Sequence, residues 1–555
     1  MSDGVAAASA GRESREAARP PDRFPVALAA FVAVLLASIY TYRLGSNFLK
    51  WEEPRRCLVA MEMIHRGDYI VPRVMGELYF NKPPLQNWLI ALFSGLDLRR
   101  VGPVSARLVT LAALAGLALI LWRLGLPSGG GRPDPLPALV FLSTGLIFQF
   151  GRVGEIDVLF CLLVTAALGC FEWGRRRGSD IVQWVLPQVL LGVGVLTKAI
   201  APIFFYPPVL FCAWCHRRRI RLSVPGLIVG FLLMLGVVAL WVVPYAMRVP
   251  AAELRQGWAA ELARRFDGIG TVRILRHVAT YPLRLFGVAL PWSLALLAVR
   301  RPTYLATFRA VRQDPYAGLC ASAMGWAALI FFFLPGINGR YLMPLLPCVS
   351  VMIADLLRRA TLGRSAVAGA DGSDADRLVR WGRHWIQWAV LTLLVPAFCI
   401  GAGWRWLGPL RHLAWLAAAA GVLTLAMFAH AVFVRRLRWP AAPLLLIGLI
   451  YGIGYAGVFE LIEAEEGILY RNAARTFHAA MSERRPVVLH ESVDRKLGFA
   501  LTRLTGRPVW RRPHEPGPYY YVASLDEPAA EGATVLASAW RLRLSAIGPQ
   551  RPGSP

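Results

Sequence analysis

Between residues 24 and 460 the chain repeats one device: an uninterrupted apolar run, closed at each end by Arg, Lys, Pro or Gly. A run of about 20 apolar residues spans a bilayer, and without water only a helix satisfies its backbone donors and acceptors. The pattern therefore restricts the chain to a bundle of membrane helices and excludes a soluble enzyme. Hydrophobic residues make up 56% of the 555, in keeping with this reading. Read as spans, the runs give about thirteen helices, at 24–43, 104–124, 136–152, 158–174, 182–198, 201–216, 224–246, 282–299, 316–335, 341–358, 385–404, 411–433 and 440–460. The first run follows a polar tail, residues 1–23, that composition predicts to be disordered and cytoplasmic. No small-residue cleavage pattern follows that run, so it reads as an anchor rather than a removed signal.

The net charge of +27 raises the question of nucleic acid, but the basic residues sit in short clusters between apolar runs, with no basic groove interleaved with aromatics. Alternate loops carry "RPDP" at 132–135, "GRRRGSD" at 174–180, "HRRRIR" at 216–221, "RRPTYLATFRAVR" at 300–312, "RRATLGR" at 358–364 and "RRLR" at 435–438. Short Lys/Arg-rich loops stay cytoplasmic, which places the N-terminus inside and the residues after about 460 outside. The loop at 44–103 is basic on the opposite, outer side, an arrangement that points to anion handling. The eight cysteines do not read as a disulfide framework, and "CAWC" at 212–215 lies at the end of an apolar span, where packing explains it.

Within the 44–103 loop, apolar residues from Pro54 to Arg66 recur at three- and four-residue intervals, predicting an amphipathic helix that Pro54 starts, Gly67 stops and the membrane surface supports. "PPLQNWLIALFSGL" at 83–96 is too short to cross and reads as a second interfacial helix. From 461 to 555 the composition changes: "RPVVLHESV", "PYYYVASL" and "TVLASAW" are strand-like and a helix is expected at 466–482, giving a small outer α/β domain.

Four polar clusters fall at the outer ends of the expected spans: Glu52, Glu53 and Arg55; Lys82 before two prolines; Arg152, Glu155 and Asp157 in a tight turn; and Lys198, His277, Tyr281, Arg340 and Tyr341. Charge at the mouth of an apolar bundle costs free energy, so its gathering on one side calls for a function. A lipid-linked sugar phosphate matches it: cations neutralise the leaving phosphate while a carboxylate takes a proton from the acceptor.

The stretch "WEEPRRCLVAMEMIHRGDYIVPRVMGELYFNKPPLQNWLIALF" resembles the first outer loop of the bacterial inner-membrane glycosyltransferases of the aminoarabinose transferase type, relatives of the protein O-mannosyltransferases built on the GT-C fold. The usual pattern there is close to "DEARYA…M…GDW…P…NG…YFEKPPL…W". Further resemblance lies in "GEIDVLFCLLVTAALGCF", "GVGVLTKAIAPIFF", "LPWSLAL" and "GRYLMPLLPCVSVMIADLL", so that it covers about residues 24–360.

The resemblance implies a GT-C domain over 24–460 and transfer of a sugar from polyprenyl (undecaprenyl) phosphate to lipid A or another envelope glycan. It places the catalytic acid on Glu52 with Glu53 its neighbour, a phosphate-contacting Arg on Arg55, a donor lysine on Lys82 and the second-turn acid on Asp157 with Glu155 close by. Tyr341 and Arg340 fall on the donor phosphate, and His277 on a metal or acceptor position. Glu53 and Arg56 read as the solvated side of the amphipathic helix. Two departures stand out: Glu at 52 where relatives mostly have Asp, and Asn81 where some relatives hold a metal with Glu, which leaves both a divalent metal and none open here. The rivals are a lipid-linked-sugar transporter, for which no internal repeat is visible, a protein O-glycosyltransferase of the same fold, and an envelope scaffold.

Overall fold

A computed structural model describes residues 26–45, 49–130, 132–266, 270–334, 338–362, 441–455, 460–513, 517–530 and 533–547, with Arg377 and Trp381 besides. The expected tail at 1–23 and spans at 385–404 and 411–433 lie outside them. In chain order the principal elements are α1 (Val26–Thr41), α2 (Glu53–Arg66), β1 (Arg73–Val74), β2 (Glu77–Leu78), α3 (Leu85–Phe93), α4 (Pro103–Leu124), α5 (Ile156–Arg177), α6 (Leu186–Lys198), α7 (Val224–Arg248) and α8 (Thr271–Val288). There follow α9 (Pro315–Phe332), α10 (Leu346–Leu362), α11 (Ala442–Gly454), α12 (Glu460–Ala480), β3 (Val487–Leu489), α13 (Arg495–Thr505), β4 (Tyr519–Ser524), β5 (Ala533–Ala539) and β6 (Leu542–Ile547).

Six helices among the described residues are long and apolar enough to cross a membrane. The protein is a multi-pass helical membrane protein, with α5 packed between α4 and α6 at its centre and α7 against α6. Three expected spans are interrupted. The run 136–152 divides into Leu136–Leu142 and Gly145–Phe150; 201–216 opens with a 3-10 turn before Pro207–Cys215; and 282–299 breaks between Val288 and Leu294, around Pro291, which cannot supply a helical N–H. The seven described cysteines are all free.

The basic loop at 435–438 lies outside the described residues; those at 132–135, 174–180, 216–221 and 300–312, with Arg358, meet at one end of the bundle. Arg176 donates to the Leu124 carbonyl at 3.0 Å, Arg358 pairs with Asp134 at 3.2 Å, and Arg219 donates to the Gln313 carbonyl. Glu172, buried near the end of α5, holds Arg175 and Arg176 at 2.7 and 2.6 Å. Asp157 begins the same helix, so at 1.5 Å per residue the acid at its other end lies about 27 Å away from Arg175.

At that other end, the 44–103 loop folds onto the bundle. Helix α2 runs from Glu53, with Pro54 in its first turn, to a left-handed Gly67 (φ 65°) whose N–H returns to the Ile64 carbonyl. Protein rather than lipid covers its apolar face: Pro54 and the stretch Arg56 to Met63 are buried, under α3 on one side and α13 on another. Strands β1 and β2 form a two-residue hairpin in which Met75 and Gly76 both take positive φ, the geometry that matches strand twist. Gly76 is required there twice over, by its φ of 84° and because a Cβ would stand 2.6 Å from the Trp510 ring; its N–H donates to both Glu62 oxygens at 3.2 and 3.1 Å.

Trp510 belongs to the C-terminal layer, a four-stranded sheet in the order β3-β4-β6-β5 with β3 parallel to β4 and the other pairs antiparallel. The three segments of strand-like composition hold β3, β4 and β5, while β6 and α13 were not anticipated. The layer clamps the hairpin through the Arg511 N–H on the Met75 carbonyl at 3.0 Å and the Arg66 guanidinium 5.2 Å over the Trp510 ring.

Candidate active site

The chain leaves α1 and enters α2 through Trp51, a non-glycine residue with φ 46°, whose indole packs at a tilt against the Phe150 ring, 4.8 Å between centroids. A backbone conformation of this kind costs about 1–3 kcal/mol and persists where surrounding packing over-determines it. It leads into Glu52 and Glu53 at the helix start, which have different fates.

Glu53 is fully buried and accepts four hydrogen bonds: from the Lys50 N–H at 2.7 Å, the Gly154 N–H at 2.6 Å, and Nε and a terminal nitrogen of Arg107, both at 3.1 Å. Arg107, itself 2% exposed, also donates to the Leu44 carbonyl. This carboxylate ties together the end of the first span, α4 and the turn before α5, so the reading of Glu53 as a solvated residue is corrected. Arg56 is likewise buried rather than solvated, donating to the Tyr79 hydroxyl at 2.5 Å, while its own carbonyl accepts from Asn87. Both find their partners far along the sequence, where local spacing gives no sign of them.

Glu52 keeps about a third of its side chain exposed (31%) and pairs with Arg55, one turn on, at 2.6 Å. Its N–H donates to Glu155 at 2.9 Å. Glu155 stands one residue ahead of α5 and is almost wholly buried. Burial pushes its carboxyl up to about 7; Arg56 and Arg340 oppose the rise and Asp157 adds to it. Asp157, buried on the first turn of α5, takes the Lys198 ammonium at 2.5 Å and faces Arg340 at 3.8 Å. Lys198 ends α6 just before Ala199, another positive-φ residue (51°), and its ammonium lies 4.5 Å from the Tyr341 ring centre. Arg340 acts electrostatically on Asp157, Glu155 and Glu52 together.

Three of the four expected clusters thus converge: Glu52 and Arg55, Glu155 and Asp157, and Lys198, Arg340 and Tyr341 form one field of alternating charge. Lys82 is half-buried in the turn leading to α3. His277 goes elsewhere. On α8 it is buried with Nε2 3.1 Å from the Phe331 carbonyl and its ring 5.3 Å from Tyr281, whose hydroxyl donates to the Ala328 carbonyl. Asn81 offers a neutral amide, and among the described residues no three His, Cys, Asp or Glu side chains gather as a metal centre. A neutral amide with His277 alone does not fit a zinc site.

Two participants escaped sequence reasoning. Arg107 carried a signal, being a charge four residues inside an apolar span, where a buried partner is the rule. Arg495 carried none: the first turn of α13 brings it within the field of Glu52 and Arg55 from more than 400 residues away in sequence. Burial, and then Arg55, hold its guanidinium below the usual range.

A family model described as dolichyl-phosphate-mannose-protein mannosyltransferase matches residues 81–243, a stretch that includes Lys82, Glu155, Asp157 and Lys198. The chain is 25% identical over 448 residues to the undecaprenyl phosphate-alpha-4-amino-4-deoxy-L-arabinose arabinosyl transferase of Edwardsiella ictaluri, covering 76% of this chain and 75% of that protein. It is 26% identical over 509 residues to the enzyme of that name from Serratia proteamaculans, covering 85% and 83%. In three dimensions it is similar to the crystal structure of ArnT from Cupriavidus metallidurans bound to undecaprenyl phosphate, with a TM-score of 0.66 at 18% identity over 95% of this chain and all of that one. At that identity the likeness is one of fold.

Proposed function

We propose that the chain is a membrane glycosyltransferase of the GT-C aminoarabinose transferase type, which moves a sugar from undecaprenyl phosphate to lipid A, or to a related envelope glycolipid, on the periplasmic side of the inner membrane. The observation that carries this reading is the convergence of Glu52, Glu155 and Asp157 with Arg55, Lys198 and Arg340 at the end of the bundle opposite the basic loops. By the positive-inside rule the basic end is cytoplasmic, so the carboxylates face the periplasm and residues 461–555 form a periplasmic domain.

Each residue takes a role from its surroundings. Glu52 is the one acid of the group open to an incoming acceptor, and acts as general base on the attacking oxygen. Arg55, Lys82, Arg340 and Tyr341 bind the donor phosphate and stabilise it as it departs. Asp157, held by Lys198, orients the cations, and Glu155 sets the charge beside Glu52. His277 and Tyr281 brace α8 against α9 and take no part in the chemistry.

Glu155 gives the reaction a pH limb. Below about 7 it is neutral; above, a second negative charge beside Glu52 strengthens the base, so kcat/KM is expected to rise through that pH and the inflection to vanish in Glu155→Gln. The sign for folding is the reverse. The native state holds this proton more tightly than the unfolded chain does, so stability declines as pH climbs from the ordinary glutamate range toward 7. An activity profile flat from pH 6 to 8 in the parent enzyme would contradict the placement of Glu155, since a group titrating near 7 must show there.

Lys82→Ala is expected to raise the KM for the polyprenyl-phosphate donor by roughly tenfold or more, the worth of one charge-assisted contact, and to leave the acceptor KM unchanged. Steady-state kinetics with each substrate varied in turn checks the split. For the reaction as a whole, mass spectrometry of lipid A from cells with and without the protein is expected to differ by the mass of one added sugar. Identical lipid A and envelope glycans in the two would overturn the reading.

A further inference from the structure

Immediately before Glu52 stands an exposed indole ring. Trp51 keeps 41% of its surface open, although Leu49, two residues before it, and Phe150, Val153 and Ile156 of the turn into α5 are all buried. It holds this place against the preference of its backbone. The Glu53 N–H closes a four-residue turn on the Lys50 carbonyl at 2.8 Å, with φ 46° at Trp51 and φ −93° at Glu52. That combination belongs to the turn whose second residue is normally glycine, because a side chain there crowds the backbone. A tryptophan in that position is strained, and it persists only where the surroundings over-determine it.

Those surroundings are a single turn. Phe150 backs the indole at 4.8 Å, Glu155 accepts from the Glu52 N–H and Gly154 donates to Glu53, so residues 150–155 hold Trp51, Glu52 and Glu53 in succession. The turn is itself fixed to the bundle. Thr110 of α4 donates to the Val153 carbonyl at 2.7 Å, Gln86 of α3 donates to the Gly154 carbonyl at 3.3 Å, and a Cβ on Gly154 would stand 2.6 Å from Ala106. The indole is therefore a rigid surface next to the residue that acts as base.

The neighbouring charges indicate what such a surface can hold. Glu52, Arg55, Glu155 and Arg340 make the region strongly polar, which suits neither an acyl chain nor a polyprenyl tail. A pyranose fits both requirements: its hydroxyls meet charged side chains, while the C–H bonds of one face lie against an electron-rich indole. Adjacent Cα atoms are about 3.8 Å apart, less than the breadth of a sugar ring, so one head group can touch Trp51 and Glu52 together.

We propose that Trp51 is a stacking platform for a sugar ring of the glycolipid acceptor, and so brings the attacking oxygen of that acceptor within reach of Glu52. The inference rests on the transferase reading and adds to it a residue that selects the acceptor.

The test uses the full-length protein in nanodiscs with three probes: the polyprenyl-phosphate sugar donor, diphosphoryl lipid A, and dioleoyl phosphatidic acid, which carries a phosphomonoester but no sugar. Trp51→Gly suits the positive φ and removes the ring, so the melting midpoint is expected to be kept. The same variant is expected to raise the KM for lipid A, and to weaken lipid A binding measured without donor, by about tenfold, with the donor KM and phosphatidic acid binding unchanged. Trp51→Tyr, which keeps an aromatic face, is expected to stay within about threefold of the parent. Trp51→Leu, apolar but without that face, is expected to lose as much as the glycine variant, and it carries the test should glycine unfold the loop. A parental KM for lipid A in Trp51→Gly or Trp51→Leu overturns the proposal, as does a rise in donor KM in place of acceptor KM. An equal loss of phosphatidic acid binding would also overturn it, by showing an anchor in the membrane interface. Lipid A binding that depends on Trp51 in a protein that transfers no sugar would instead sink the transferase reading and leave the platform standing.

Discussion

Replacing Glu52 by Gln is expected to lower sugar transfer by about 100-fold to 10,000-fold, the usual worth of a positioned general base, with donor binding and folding unchanged. The expectation follows from contrast among four carboxylates within one region. Glu53 is saturated by four donors and Asp157 is buried and paired with Lys198, so neither is open to an acceptor arriving from solvent. Glu155 is sealed in by the loop, leaving Glu52 as the acid with open surface. Its single ion pair, to Arg55, can open when a phosphate draws the guanidinium away. The change to Gln preserves shape and removes the base; Glu52→Asp, which restores the side chain usual in relatives, is expected to recover part of the rate. Full activity in Glu52→Gln at unchanged expression would remove Glu52 from the chemistry.

The second large effect is structural. Arg107→Leu leaves the Glu53 carboxylate buried without its cation, a change that typically costs about 3–5 kcal/mol. The loss is expected as a clear fall in the melting midpoint of the detergent-solubilised protein and as poor expression. Arg107→Leu/Glu53→Leu is expected to regain part of the stability, because removing both partners leaves no lone charge in the core, though the N–H groups of Lys50 and Gly154 lose their acceptor. A midpoint in Arg107→Leu equal to the parent's would show that the ion pair does not hold the site's scaffold.

Local signals in the sequence carried far, and the limit is where they stop being local. Helix α2 was legible to within one residue because Pro54 and Gly67 punctuate it, yet the protein layers that cover it were not. The partners that bury Glu53 and Arg56, namely Arg107, Gly154 and Tyr79, lie 23 to 101 residues on, and no periodicity records them. The polar clusters were legible as clusters because charge is rare at span ends. That Lys198 joins Asp157, while His277 turns instead to the Phe331 carbonyl, depends on how α5, α6, α8 and α9 pack against one another. Interrupted spans such as 136–152 and 282–299 keep their hydropathy while changing their geometry, so composition registers one helix where the chain makes two. Helix α13, which brings Arg495 to the site, begins at an Asp494 cap that is easily passed over within a mixed, polar stretch.

The central claim, that this is an enzyme that breaks the bond between sugar and polyprenyl phosphate, is tested most directly by one measurement. The purified protein is reconstituted into proteoliposomes with a radiolabelled undecaprenyl-phosphate-linked sugar and lipid A, and labelled lipid A and free undecaprenyl phosphate are followed over time. The account predicts that both products appear together in equal amounts and that neither appears with Glu52→Gln. Movement of intact donor across the bilayer, with no labelled lipid A and no free undecaprenyl phosphate, would contradict it and identify a transporter.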